Sequence, residues 1–267
     1  MTIDPATGLA EPELASPEDR EDEDLAELAD SQEIELVVLD LAGTTVRDDG
    51  LVERAFALAA ERAGFAPEGE QREAALQYVR DTMGQSKIEV FRVLTGDEAV
   101  AQRANEEFER AYAELIDEVG VEAIPGAEAA VRALRAAGAS VVLTTGFSPA
   151  TRDALLAALG WTELADLVLA PADAGRGRPH PDLPLTALLR TGTSSVDAMA
   201  VVGDTRSDML SGVNAGAGLV VGVLTGAHDR DALEESGADE VLGSVAELPA
   251  LLGLDAERLD TAPGTSA

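Results

Sequence analysis

The hydrophobic pattern changes character along the chain. Leu36-Val37-Val38-Leu39 is an unbroken apolar run that ends on Asp40 and a small polar turn, Leu41-Ala42-Gly43-Thr44-Thr45. Short continuous apolar runs are the mark of strands buried on both faces, which predicts a first strand over about 34–40. Asp48-Asp49-Gly50 then reads as a turn. From Leu51 to about Gly120 the texture is helical, with Leu51, Ala55 and Leu58 on one helix face and few β-branched clusters. Gly64, Pro67-Glu68-Gly69 and Thr95-Gly96 divide that stretch into several helices, and Pro125-Gly126 closes it.

Beyond residue 126 the pattern alternates. Glu128–Ala137 reads as a helix, Ser140–Leu143 as a strand ending at Thr144-Thr145-Gly146, and Pro149–Leu159 as a helix stopped by Gly160. Leu167–Ala170 is a third strand and Leu183–Leu189 a helix. Ala198–Val202 is a strand ending at Gly203-Asp204, Ser207–Ala215 a helix, and Leu219–Leu224 and Glu240–Leu242 the last strands. Strands alternating with helices predict an α/β fold: a doubly wound, Rossmann-like parallel sheet. The core is split, over 33–48 and 121–254, and the helical insert at 49–120 forms a cap over the strand ends. Residues 1–32, rich in Glu, Asp, Ala and Pro, are expected to be a disordered or frayed acidic tail, and 255–267 a loose C-terminal tail.

Composition narrows the function classes. The formal net charge is -32, which argues against nucleic acid and against anionic membrane surfaces. It reads as a solubility or salt-adaptation signature, with an acidic interaction tail as the alternative. Aromatic residues make up 3% of the chain, so Ala, Leu and Val are expected to do the packing. The absence of cysteine removes disulfides, thiolate metal sites and thiol nucleophiles. No apolar run approaches the length of a membrane span, and the N-terminal stretch lacks the basic and apolar parts of a signal peptide. The expectation is a cytoplasmic protein.

Candidate chemistry lies where predicted strands end. In open α/β sheets ligands bind outside the carboxyl ends of the strands, and those ends carry Asp40, Thr144 with Thr145, and Asp204 with Asp208. Arg178 lies in the loop after the third strand. Any one acid could be a helix cap; the ordered recurrence is harder to obtain from caps. The order Asp40-Leu41-Ala42-Gly43-Thr44, Thr144-Thr145-Gly146, Gly177-Arg178-Pro179 and Gly203-Asp204-Thr205-Arg206-Ser207-Asp208 resembles the haloacid dehalogenase superfamily of phosphotransferases and hydrolases. The resemblance implies Asp40 as a nucleophile that forms an aspartyl phosphate. It implies Mg²⁺ held by Asp40, Asp204 and the Ala42 carbonyl, with Gly43 and Asp208 in support. Thr44, Thr144, Thr145 and Arg178 then bind phosphoryl oxygens.

One position departs from most of that superfamily. The acid expected two residues after the nucleophile is Ala42, and alanine cannot protonate an alkoxide leaving group. The Asp-x-Ala-Gly-Thr-Thr-Val stretch and Gly-Arg-Pro resemble phosphonoacetaldehyde hydrolase (phosphonatase) and phosphonatase-like hydrolases, in which a cap lysine forms a Schiff base with the substrate aldehyde. Met83-Gly84-Gln85-Ser86-Lys87 fits that family's cap pattern, with Met83 either lining the pocket or packed in the core. The chemistry is coherent, because carbon–phosphorus cleavage expels a carbanion, which needs an electron sink more than a proton donor. Lys87 is also the single lysine among the chain's 19 basic residues. Arg cannot replace it, since a guanidinium stays protonated; a lysine must be desolvated or crowded by cations to free its amine.

The phosphonatase His three residues after the lysine is replaced by Val90, and the Asp seven after the nucleophile by Arg47, followed by Asp48. These differences point to the phosphonatase-like branch. The chain has two histidines, and His180 lies in the Arg178 loop, as a structural residue or facing the site. The leading expectation is a Mg²⁺-dependent hydrolase of a small 2-oxoalkylphosphonate. Alternatives are a phosphatase or phosphomutase acting on a small phosphate ester, and a non-catalytic phosphometabolite sensor. The family resemblance allows a homodimer.

Overall fold

The computed structural model describes residues 33–66 and 68–254, so the expectations for both tails lie outside the described residues. Six parallel strands form one sheet in the order β3-β2-β1-β4-β5-β6. They are β1 (Leu36–Asp40), β2 (Ser140–Thr144), β3 (Leu167–Leu169), β4 (Met199–Gly203), β5 (Leu219–Val223) and β6 (Glu240–Leu242). β1 lies between β2 and β4, with Asp40 beside Thr144 and Leu36 beside both Ser140 and Met199. The chain first winds outward through β2 and β3, then crosses to β4. That reversal is the topological switch point where α/β sheets open a crevice.

Alternation along the strands explains the two helical layers. Val37, Leu39, Val141, Leu143, Ala200 and Val202 join one core, packed by α5 (Ala127–Ala136), α6 (Pro149–Leu159) and α11 (Leu248–Leu251). Leu36, Val38, Val142, Met199 and Val201 face the other side, against α8 (Asp182–Thr191) and Ala215 of α9 (Arg206–Ala215). The doubly wound sheet read from the pattern is thus observed. Three short helices escaped it, α7 (Pro171–Ala174), α10 (Arg230–Glu235) and α11. None completes two turns, so none carries a readable 3.6-residue period. α10 is set instead by its Asp229 cap, whose side chain accepts the Ala232 N–H at 3.0 Å.

The insert contains α1 (Leu51–Ala63), α2 (Gly69–Asp81), α3 (Lys87–Thr95) and α4 (Glu98–Val119). It leaves and re-enters the core along a paired seam: Arg47 donates to the Glu122 carbonyl and Ile124 to that of Thr45, each at 2.9 Å. Its interior corrects the expectation that aliphatics do all the packing. All five phenylalanines of the chain gather there or at its border. Phe56 meets Phe91 at 4.5 Å and Phe108 at 5.0 Å between ring centres, and Phe65 meets Phe91 at 5.8 Å. Tyr112 bridges to Phe147, in the loop after β2, at 4.7 Å. Scarcity in the whole chain concealed this local concentration.

Candidate active site

The turn after β1 presents Asp40. Thr45 and Val46 both donate to the Leu41 carbonyl, at 2.9 and 2.8 Å, and the Thr45 hydroxyl donates to the Asp40 carbonyl at 2.9 Å. Gly43 takes φ +93°, and a Cβ there would stand 2.3 Å from Asp204 Oδ2. A Cβ on Gly226 would stand 1.9 Å from the same atom. Two glycines therefore make the cradle that holds Asp204 beside Asp40.

Asp40, Asp204 and Asp208 are all buried, and each offers a carboxylate oxygen within 4.8 Å of the others. Arg178 is the guanidinium paired with Asp40 and Asp208. Its Nη1 reaches Asp40 Oδ1 at 2.6 Å and Asp208 Oδ1 at 2.7 Å, and its Nη2 donates to Thr144 Oγ1 at 2.8 Å. Asp208 Oδ2 accepts the Thr205 N–H and hydroxyl, completing a capping box at the start of α9. Asp204 pairs with no cationic side chain among the described residues; Thr44 Oγ1 and the Ala227 N–H donate to it at 3.1 and 2.8 Å. Burial pushes the Asp40 carboxyl up to about 7, against the pull of Arg178 and with repulsion from Asp208. Burial, then the charges of Asp40 and Asp208, push Asp204 up as well.

Carboxylates raised in this way lack positive charge, and hard oxygen donors at this spacing suit Mg²⁺. Asp40 and Asp204 would hold it. The Ala42 carbonyl, on the cavity wall, accepts no hydrogen bond among the described residues and offers a further oxygen.

A cavity of about 850 Å³ opens over Asp40 and is lined by core and insert together, including Ala42, Met83, Lys87, Thr145, Phe147 and Arg178. Lys87 is 6% exposed, with Nζ 5.5 Å from the centre of the Phe147 ring. Burial lowers its amine to about 8, opposed chiefly by the charge of Asp48. Its place at the N-terminus of α3 also disfavours a cation. Met83 lines this cavity and also packs against the hydrophobic core.

The four expected phosphate binders separate. Thr145 lines the cavity; its Oγ1 accepts the Phe147 N–H at 3.1 Å, leaving its own proton to donate. Arg178 also lines it. The Thr44 and Thr144 hydroxyls are turned to protein partners, Thr44 to Asp204 and Thr144 to the Leu39 carbonyl at 3.3 Å while receiving Arg178. In this structure they brace the acid cluster. Sequence reasoning noted Asp48 without giving it a role and did not single out Tyr112 or Phe147. Neither aromatic lies in a chemistry-bearing motif; only packing places Phe147 beside Lys87 and Tyr112 against Phe147.

Three glycines press the Lys87 loop onto the core. A Cβ on Gly146 would lie 2.5 Å from the Gln85 carbonyl oxygen and 2.9 Å from that of Gly84. One on Gly84 would lie 2.4 Å from Thr205 Oγ1, and one on Gly177 2.9 Å from Ser86 Cβ. Lys87 N–H donates to the Gly146 carbonyl at 3.4 Å. Gly146→Ala must push backbone rather than a flexible side chain. We expect a stability loss of about 1–3 kcal/mol, read by thermal unfolding, with Lys87 displaced and turnover reduced. Unchanged melting and turnover would show that the loop is not tightly seated.

An acid at the switch point of a parallel sheet, a buried carboxylate cluster and an arginine fork stand together at the carboxyl ends of the strands of this α/β fold. Residues 34–216 match the haloacid dehalogenase-like hydrolase model, and the chain belongs to that family. Among curated relatives, phosphonoacetaldehyde hydrolase of Bacillus cereus is 31% identical over 76% of this chain and 80% of its own length. "Probable phosphatase IndB" of Dickeya dadantii is 31% identical over 46% of this chain, which spans 53% of that protein. The solved structure of a phosphonoacetaldehyde hydrolase-like protein from Oleispira antarctica superposes with a TM-score of 0.69 at 25% identity, covering 85% of this chain and 94% of the other. No described helix is long and apolar enough to cross a membrane.

Proposed function

We propose that this hydrolase cleaves the carbon–phosphorus bond of a small 2-oxoalkylphosphonate such as phosphonoacetaldehyde. One observation carries the reading: the chain's single lysine is buried on the wall of the cavity that holds Asp40, while the position two after Asp40 is alanine. A phosphate-ester hydrolase would want an acid at 42 and no reactive amine. The Bacillus relative named for phosphonoacetaldehyde supports the same substrate class.

The insert acts as a cap that brings Lys87 over the acid cluster. The Lys87 amine adds to the substrate carbonyl and, with loss of water, forms an iminium. The Asp40 carboxylate attacks phosphorus. The carbon–phosphorus electron pair moves into the iminium, giving an enamine and a phosphoaspartate. Arg178 and Thr145 donate to the phosphoryl oxygens. Mg²⁺, held by Asp40, Asp204 and the Ala42 carbonyl, would supply positive charge to those oxygens when bound. Water hydrolyses the acyl phosphate, and hydrolysis of the protonated enamine frees the carbonyl product and Lys87.

The test is to incubate the protein with phosphonoacetaldehyde and Mg²⁺, with and without borohydride. Phosphate release, and a reduced two-carbon adduct mapped to Lys87 by mass spectrometry, are expected. Neither product would remove this reading. Phosphate release from simple esters with no adduct would favour a phosphatase, the activity named for the Dickeya relative.

A further inference from the structure

Making and breaking a carbon–nitrogen double bond requires a proton for the departing oxygen and later an acceptor for a proton of incoming water. A positioned acid–base group supplies both. The helix that carries Lys87 offers none one turn on, where Val90 is buried and apolar. Glu89 on that helix is paired with Arg92 at 2.5 Å. His228 accepts the Arg206 N–H through Nδ1 at 3.2 Å, and burial lowers its affinity for a proton. His180 does not line the cavity that holds Asp40.

The cavity's carboxylates sort the same way. Asp40 and Asp204 belong to the acid cluster. Glu53 is paired with Arg80 at 2.8 Å, Asp81 accepts from Gln77 at 2.9 Å, and Asp49 is exposed. Asp48 remains. It is half-buried on the wall shared with Lys87 and forms no ion pair among the described residues. Its Oδ1 accepts the Val52 N–H of α1 at 3.1 Å, which fixes the carboxyl group, and the carboxyl has no side-chain hydrogen-bond partner among the described residues.

We infer that Asp48 is the proton-transfer residue for the Lys87 carbonyl chemistry, an inference that rests on the proposed function. The Lys87 nitrogen adds to the carbonyl carbon to give a carbinolamine. The Asp48 carboxylic acid gives its proton to the carbinolamine hydroxyl, the carbon–oxygen bond breaks, water leaves, and the nitrogen lone pair closes the iminium. Asp48 is left as a carboxylate beside that cation. On product release it takes a proton from the water whose oxygen bonds to the iminium carbon.

The surroundings suit both forms. Burial raises the carboxyl, while the Val52 N–H and the charge of Lys87 lower it; Glu53 of α1 adds repulsion. Tyr112 of α4 also feels the Asp48 charge, and burial pushes its phenol well up, so it stays neutral.

The test uses the full chain with Mg²⁺, phosphonoacetaldehyde and borohydride, following the rate of Lys87 adduct formation against pH. For the unaltered protein we expect a bell, because the rate requires Lys87 as the free amine and Asp48 as the acid at the same time. Asp48→Asn keeps an acceptor for Val52 N–H, so it should fold, as checked by thermal unfolding. It should slow adduct formation by about 100-fold and lose the descending limb. Asp48→Glu should restore part of the rate and that limb, and Asp49→Asn should leave both unchanged. Adduct formation by Asp48→Asn at the unaltered rate and pH profile would overturn the role of Asp48 alone. An equal loss in Asp49→Asn would also overturn it. Absence of any adduct in the unaltered protein would instead remove the carbonyl chemistry itself.

Discussion

Lys87→Arg is expected to abolish carbon–phosphorus cleavage, by on the order of 10⁴-fold or more, and to remove borohydride trapping altogether. The reason is chemical rather than steric. An amine lowered to about 8 by burial exists in part as the free base at neutral pH, whereas a guanidinium stays protonated and cannot add to a carbonyl. The substitution keeps the positive charge, and Arg stacks on aromatic faces as lysine does, so its place over Phe147 is retained. Melting should therefore change little while activity disappears. Phosphate release measured alongside thermal unfolding checks this. Carbon–phosphorus turnover surviving in Lys87→Arg would show that the lysine serves only as a cation.

Asp40→Asn divides the reaction at the other end. Phosphate release should fall by on the order of 10⁴-fold or more from any substrate, because an amide cannot form the acyl phosphate. Lys87 should still be trapped by phosphonoacetaldehyde and borohydride, since the amine and its cavity wall remain. The stability outcome has a definite sign. Burial raises Asp40 to about 7, so its charged form is disfavoured in the folded chain without a cation. A neutral amide removes that repulsion, and Arg178 keeps its bond to Asp208 at 2.7 Å. Melting without Mg²⁺ should thus hold or rise, and the increase on adding Mg²⁺ should shrink as one carboxylate ligand is lost. A fall in melting in both conditions would mean that the Asp40–Arg178 pair is primarily structural.

Together the two substitutions separate a nucleophile that belongs to the sheet from an amine that belongs to the insert. The seam between them is where the chain invests its glycines. Gly43 and Gly226 make room for Asp204, while Gly84, Gly146 and Gly177 let the Lys87 loop approach the core. A side chain at any of these would widen the gap that the chemistry must span.

Much of this was legible in the residues themselves. Continuous apolar runs gave the strands, because a strand buried on both faces has no polar positions to hide. The acid after each run gave Asp40 and Asp204, because strand ends at a switch point are where a parallel sheet opens. The single lysine was visible because it stood alone among arginines. The division of labour among the threonines was not legible. Thr144 and Thr145 are adjacent and chemically identical, and only strand direction decides that one braces Arg178 while the other lines the cavity. Nor did local pattern mark Asp48 and Phe147 as neighbours of Lys87. They come from two loops far apart in the chain, and tertiary packing alone brings them to one cavity wall. The sequence by itself determined which chemical groups the molecule owns and which layer carries each. The tertiary structure decided which of them share a cavity, because that depends on long-range contacts that local periodicity does not encode.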